Sequence, residues 1–123
     1  MDSASGSAAT AMTSDKHLVV ESGGGVERWL QVEDDGALTI GGHDVGAAVS
    51  NFWGSGFAEY EFNRRLSPAA VQQLRAVLGL DAHVPILEAL AELVPEHPHL
   101  TQFLEQTVAN HQIESTFWSR VGD

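Results

Sequence analysis

A chain of 123 residues with 43% apolar side chains and a mean hydropathy of −0.08 has the size and composition of one globular domain. Seventeen acids against six Lys and Arg give a net charge of −11, and the absence of cysteine excludes a disulfide framework, a Cys-based zinc site and a thiol nucleophile. The six bases are spread along the chain, which argues against nucleic acid and anionic lipid as partners; no apolar run is long enough to span a bilayer, and Met1 to Lys16 lacks the pattern of a signal peptide, so a soluble, cytoplasmic protein is expected.

Residues 1–17 read as a disordered tail, because Ser, Ala, Thr and Gly without periodicity bury too little apolar surface to offset their ordering entropy. Residues 18–123 read as a single domain. Leu18-Val19-Val20 suits a short strand, and Ser22 to Gly25 a flexible connection; its glycines lack the downstream Gly-Lys-Ser/Thr of a phosphate loop. From Val26 the period is two. A three-residue loop, Asp34 to Gly36, pairs Val32 with Leu38 and Leu30 with Ile40 and keeps one face apolar, whereas a two-residue Asp35-Gly36 turn would put acids on the core face. Trp29 then lies on the opposite face with Gln31 and Glu33.

Asp44 has the chemistry of a helix N-cap, and Val45, Ala48, Val49, Phe52 and Trp53 follow at helical spacing up to Gly54. A second strand comes next: Ala58, Tyr60, Phe62 and Leu66 point one way, and Glu59, Glu61, Asn63 and Arg65 the other. Arg64 interrupts the apolar face near the strand end, where it can reach water.

Ser67-Pro68 predicts a capped helix that buries Val71, Leu74 and Leu78 and stops at Gly79. A second helix is expected from about His83 to Val94, ended by Pro95. A third starts near Pro98, buries Leu100, Phe103, Leu104, Thr107 and Val108, and has Asn110 as its left-handed cap. Ile113 to Val121 alternates and suits a final strand or an extended tail. The fold class is α+β: a mainly antiparallel sheet of three to five strands, one face covered by about three C-terminal helices, with a short helix after the hairpin.

The order of Gly41-Gly-His-Asp-Val-Gly46, then Glu59-Tyr60-Glu61-Phe62, then Phe117-Trp118-Ser-Arg-Val-Gly-Asp123 resembles that of small bacterial proteins, some of them associated with toxin–immunity loci. The resemblance covers residues 26–123. It implies an interaction protein and transfers no catalytic residue.

The residues themselves leave several chemistries to weigh. His97-Pro98-His99 is the metal candidate, with Glu96 or Asp81 as a possible carboxylate ligand, but two imidazoles do not close a tetrahedral site. His111 on an apolar stripe suits a helix end. His43 beside Glu59 or Glu61 has the ingredients of an acid–base group, yet no nucleophile motif accompanies it. If the hairpin and the Ala58–Leu66 strand share one sheet, its outer face carries Trp29, Gln31, Glu33, Glu59 and Glu61. An aromatic among acids suits docking of a basic partner. No cofactor and no catalytic residue are assigned. The leading expectation is a non-enzymatic protein-binding module acting through an acidic surface, an immunity-type inhibitor being one form. The alternative is a small-ligand or metal-binding domain or minor enzyme using the histidines and strand glutamates.

Overall fold

The computed structural model describes residues 11–46 and 59–122. Within them the chain forms β1 (Ala11–Ser14), β2 (His17–Gly23), β3 (Val26–Val32), β4 (Leu38–Val45), β5 (Glu59–Leu66), α1 (Pro68–Leu78), α2 (Ile86–Ala91), α3 (Leu100–Asn110) and β6 (Thr116–Gly122). The strands make one antiparallel sheet in chain order, so each pairs with its sequence neighbour and the three helices fill the connection from β5 to β6. The α+β class holds, with one strand more than the sequence suggested.

The β3–β4 hairpin has the register that its alternation predicts: Val32 faces Leu38 and Leu30 faces Ile40. The Glu33 N–H donates to the Ala37 carbonyl at 2.8 Å across the Asp34–Gly36 loop, and Gly36 sits at φ 96°. Ser22 to Gly25 is not a loose connection but a tight β2–β3 turn. Gly24 and Gly25 both take positive φ, 63° and 81°, which suits a two-residue hairpin turn matched to strand twist.

Three other segments depart from expectation for physical reasons. Asp44 does not cap a helix: it lies in β4 opposite Val26 and Tyr60, and its carboxylate takes two hydrogen bonds from Arg28, at 2.6 and 3.3 Å. That cross-strand partner stabilises an acid in a strand. The helix expected after it falls on residues 47–58, outside the described residues. The sheet also reaches into the segment read as a tail, since β1 pairs with β2 from Ala11; edge pairing gains backbone hydrogen bonds that need no apolar pattern. At the end of α3 the left-handed residue is Gln112, φ 54°, not Asn110, which is still helical.

Helix α1 follows its signals. Ser67 Oγ accepts from the Ala70 N–H at 3.2 Å, Pro68 opens the first turn, and Gly79 at φ 68° lets the Leu80 N–H reach the Arg75 carbonyl at 2.9 Å. Helix α2 is shorter than expected, six residues, with turns continuing to Glu96.

One face of the sheet and one side of the helices make the core. Leu18, Val20, Leu30, Leu38, Ile40 and Leu66 meet Val71, Leu74, Leu87, Leu90, Leu100, Leu104, Val108 and Ile113, all buried. Each such Leu or Ile contributes about 1.5–3 kcal/mol relative to exposure. Alternation along the strands sends Trp29, Gln31, Thr39, His43, Glu61, Asn63, Arg65, Trp118 and Arg120 to the other face. Among the described residues, no helix is long and apolar enough to cross a membrane.

Candidate functional site

The register of β3 to β6 orders much of the outer face into rows, which β2 extends with His17 beside Gln31 and Val19 beside Trp29. Gln31, Thr39, Arg65 and Thr116 form one row; Trp29, Gly41, Asn63 and Trp118 the next; Glu27, His43, Glu61 and Arg120 the third. Strands about 4.8 Å apart place the Cα atoms of Trp29 and Trp118 about 14 Å from each other. All five residues that the sequence offered as a docking surface, Trp29, Gln31, Glu33, Glu59 and Glu61, lie on this one face.

The middle row is aromatic because its floor is glycine. A Cβ on Gly41 would come within 2.5 Å of Trp29 Cε2 and Nε1. The indole therefore rests on a bare stretch of β4, while Trp118 on β6 stays 48% exposed. The same device works on the helix side: Phe62 covers Gly42, and Arg28 lies 5.1 Å from the Phe62 ring centroid. Two adjacent glycines thus seat two aromatic rings, one on each side of the sheet.

Ion pairs flank the aromatic row. On one side Arg65 reaches across Thr39 to Glu33, with Nε–Oε2 at 3.0 Å and Nη2–Oε1 at 3.2 Å. Its Nη2 also approaches Asp35 at 3.4 Å, and the Thr39 hydroxyl donates to Glu33 at 3.3 Å. Hydrogen bonds to Glu33 raise the Arg65 pKa above its ordinary value. On the other side Arg120 donates through Nε to Glu61 at 3.1 Å and through Nη2 to both Glu59 and Glu61. The hydrogen bond from Arg120 holds the Glu61 carboxyl below its ordinary 4.5, with burial opposing and the charges of Arg120 and His43 assisting. The strand glutamates are thus not free acids but one half of fixed carboxylate–guanidinium pairs.

His43 stands next to this second cluster. Its Nε2 is buried without a hydrogen-bond partner and lies 3.9 Å from Glu59 Oε2. Donor atoms of His43, Glu59 and Glu61 all fall within 4.8 Å of one another, the arrangement that holds a divalent cation, but the Arg120 guanidinium already serves both carboxylates. The other histidines do not join them. His97 stacks on Phe103 with centroids 3.8 Å apart, and His99 Nδ1 meets Glu21 at 3.2 Å. Both precede α3 on the helix side, and His99 borders a cleft of about 320 Å³ that Arg28, Phe62, Gln102 and Glu105 help to line. His111 is exposed at the end of α3.

Sequence reasoning missed Trp118 and Arg120 as members of the outer face. Their shared phase was visible in the alternation of the last segment; the pairing of Asn63 with Trp118 and Glu61 with Arg120 was not, because it joins residues more than fifty apart. Comparison with family models, curated proteins and solved structures gives no match for this chain.

Proposed function

We propose that the chain is a non-enzymatic binding module that takes a basic protein partner on the outer face of its sheet. An immunity-type inhibitor is the form that the sequence resemblance implies. The observation that supports this reading is the row Trp29, Gly41, Asn63, Trp118 between two fixed ion-pair networks. Indoles supply large contact area at low entropy cost, and carboxylates already held in place need no ordering when a partner arrives. Glu27, Glu33, Asp35, Glu59 and Glu61 stand against Arg65 and Arg120, so five acids against two cations leave the face three charges negative. A partner's Lys and Arg fit that balance.

The test is affinity capture with the wild-type chain, identification of the bound protein, and titration of that protein against Trp118→Ala and Gln31→Lys. Each change weakens binding by about tenfold or more if the indole row is the contact centre. Wild-type affinity in both variants overturns the reading.

A second reading rests on the convergence of His43, Glu59 and Glu61: a small-ligand or metal-binding domain. Zinc titration separates the two. Affinity tighter than about 100 µM that disappears in His43→Ala selects the metal site; heat signals at the level of buffer remove it.

A further inference from the structure

The two edges of the sheet are built differently. The β1 edge is four residues long and its pairing is broken by a register shift between Met12 and Ser14. The β6 edge is seven residues long and pairs with β5 at every position from Thr116 to Gly122 without a shift. Among the described residues no strand pairs with the far side of β6. Natural edges are guarded by charged side chains, proline, bulges or shortness. Strand β6, Thr-Phe-Trp-Ser-Arg-Val-Gly, has no proline and no bulge, and its one charge, Arg120, is neutralised by Glu59 and Glu61 on the neighbouring strand. Phe117 and Trp118 are 50% and 48% exposed, one on each side of the sheet.

The sequence of β6 also complements itself. Antiparallel pairing about a two-fold axis at Ser119 places Trp118 opposite Arg120 of the second copy on the outer face, twice over. On the helix side it places Phe117 opposite Val121, again twice, while Thr116 opposite Gly122 completes the outer face. Directly opposed residues in an antiparallel pair share a face, so the register satisfies both faces at once. Each indole then faces an Arg120 side chain whose guanidinium stays with Glu59 and Glu61 and whose methylenes offer it contact, and each exposed Phe has an apolar neighbour. Moving the axis to Arg120 opposes two arginines; moving it to Trp118 leaves each Phe117 facing Ser119. Of these three, the Ser119 axis gives both aromatic residues partners over the full strand and sets no like charges together.

We propose that β6 is a homodimerisation edge: two copies join their β6 strands antiparallel about Ser119 into a continuous twelve-stranded sheet. The contact is isologous and closes on itself, since the short, bulged β1 edge offers no matching surface for further growth. The two outer faces become one surface, with the Trp29 row of each copy running into the Glu61–Arg120 row of the other. The inference does not depend on what binds that surface. The net charge of −11 per copy opposes association at low salt, so dimerisation strengthens as salt rises.

Two measurements on the full chain test it. Sedimentation velocity over about 1–100 µM, at low and at about 0.5 M salt, shows a dimer fraction that grows with concentration and salt, as an interface of one strand pair implies. Trp118→Lys, which opposes two cations in each half of the interface, is monomeric over the same range, with its circular dichroism checked for folding. Because the chain has no cysteine, Ser119→Cys reports the axis directly. Under mild oxidation it forms a covalent dimer at least tenfold faster than the exposed α1 control Gln72→Cys. Cross-linking no faster than the control, or a monomer throughout the range, overturns the proposal even if Trp118→Lys fails to fold.

Discussion

Adding one methyl group at Gly41 tests the seating of Trp29 on the sheet. The backbone there is ordinary extended strand, so alanine brings no φ penalty. Alone, it would stabilise the strand by about 0.5–1 kcal/mol through lost unfolded-state freedom. The new Cβ, however, would stand 2.5 Å from Trp29 Cε2 and Nε1 and 2.7 Å from Cζ2, so the indole has to leave its seat. Forcing an occupied site apart costs about 1–3 kcal/mol. The expected net effect of Gly41→Ala is destabilisation by about 0.5–2 kcal/mol. In a Trp29→Ala background the obstacle is gone and the same substitution reverses sign, stabilising by about 0.5–1 kcal/mol. The coupling across the cycle is then about 1–3 kcal/mol, within the range for residues in contact. Urea unfolding of the four proteins, followed by far-UV circular dichroism because tryptophan number changes, measures it. If Gly41→Ala has the same sign and size in both backgrounds, the indole does not rest on Gly41 and the description of the aromatic row fails.

Other consequences are simpler. Ser67→Ala removes the acceptor for the Ala70 N–H and lowers stability by about 1 kcal/mol in the same urea assay. Leu104→Ala, at a site with no solvent exposure among Leu90, Leu100 and the sheet, costs about 2–5 kcal/mol. Because Arg120 depresses the Glu61 pKa in the folded state, that pair stabilises the protein above the carboxyl's ordinary 4.5 and the contribution is lost as pH falls through the lowered value. The stability gap between wild type and Arg120→Ala therefore narrows when pH is taken from 7 to below 4; a gap that widens on acidification contradicts the pairing.

What the sequence disclosed follows the range of the forces involved. The β3–β4 register was legible because Leu30, Val32, Leu38 and Ile40 must share a buried face, and a slip of one residue would expose them all. The bounds of α1 were legible because Ser67, Pro68 and Gly79 act through hydrogen bonds within a single turn. Asp44 misled for the complementary reason. Its capping preference is local, but Arg28, sixteen residues away, decides its place in β4. Arg64 likewise ends not in water but in Glu105 and Ser115, over the Phe117 ring at 4.8 Å. The candidate face was half visible. Strand alternation placed Trp29, Gln31, Glu33, Glu59 and Glu61 on it, while the arginines that pair with the acids needed the β4–β5 and β5–β6 registers.

Acidity then acquires a different meaning from the one suggested by a total of −11. Every cation of the chain is engaged within it: Lys16 with Asp34, Arg28 with Asp44, Arg64 with Glu105, Arg65 with Glu33 and Asp35, Arg120 with Glu59 and Glu61, and Arg75 with the carbonyls of Asp81 and Val84. The acids left over include Glu88, Glu92 and Glu96, exposed in and after α2 on the helix side. The outer face thus has both its arginines engaged and keeps a surplus of acid, and part of the uncompensated field arises from elsewhere. Long-range attraction of a basic protein and its final recognition are then separable: the field sets how often the two meet and falls with salt, whereas the indole row and the fixed carboxylates set how long they stay together.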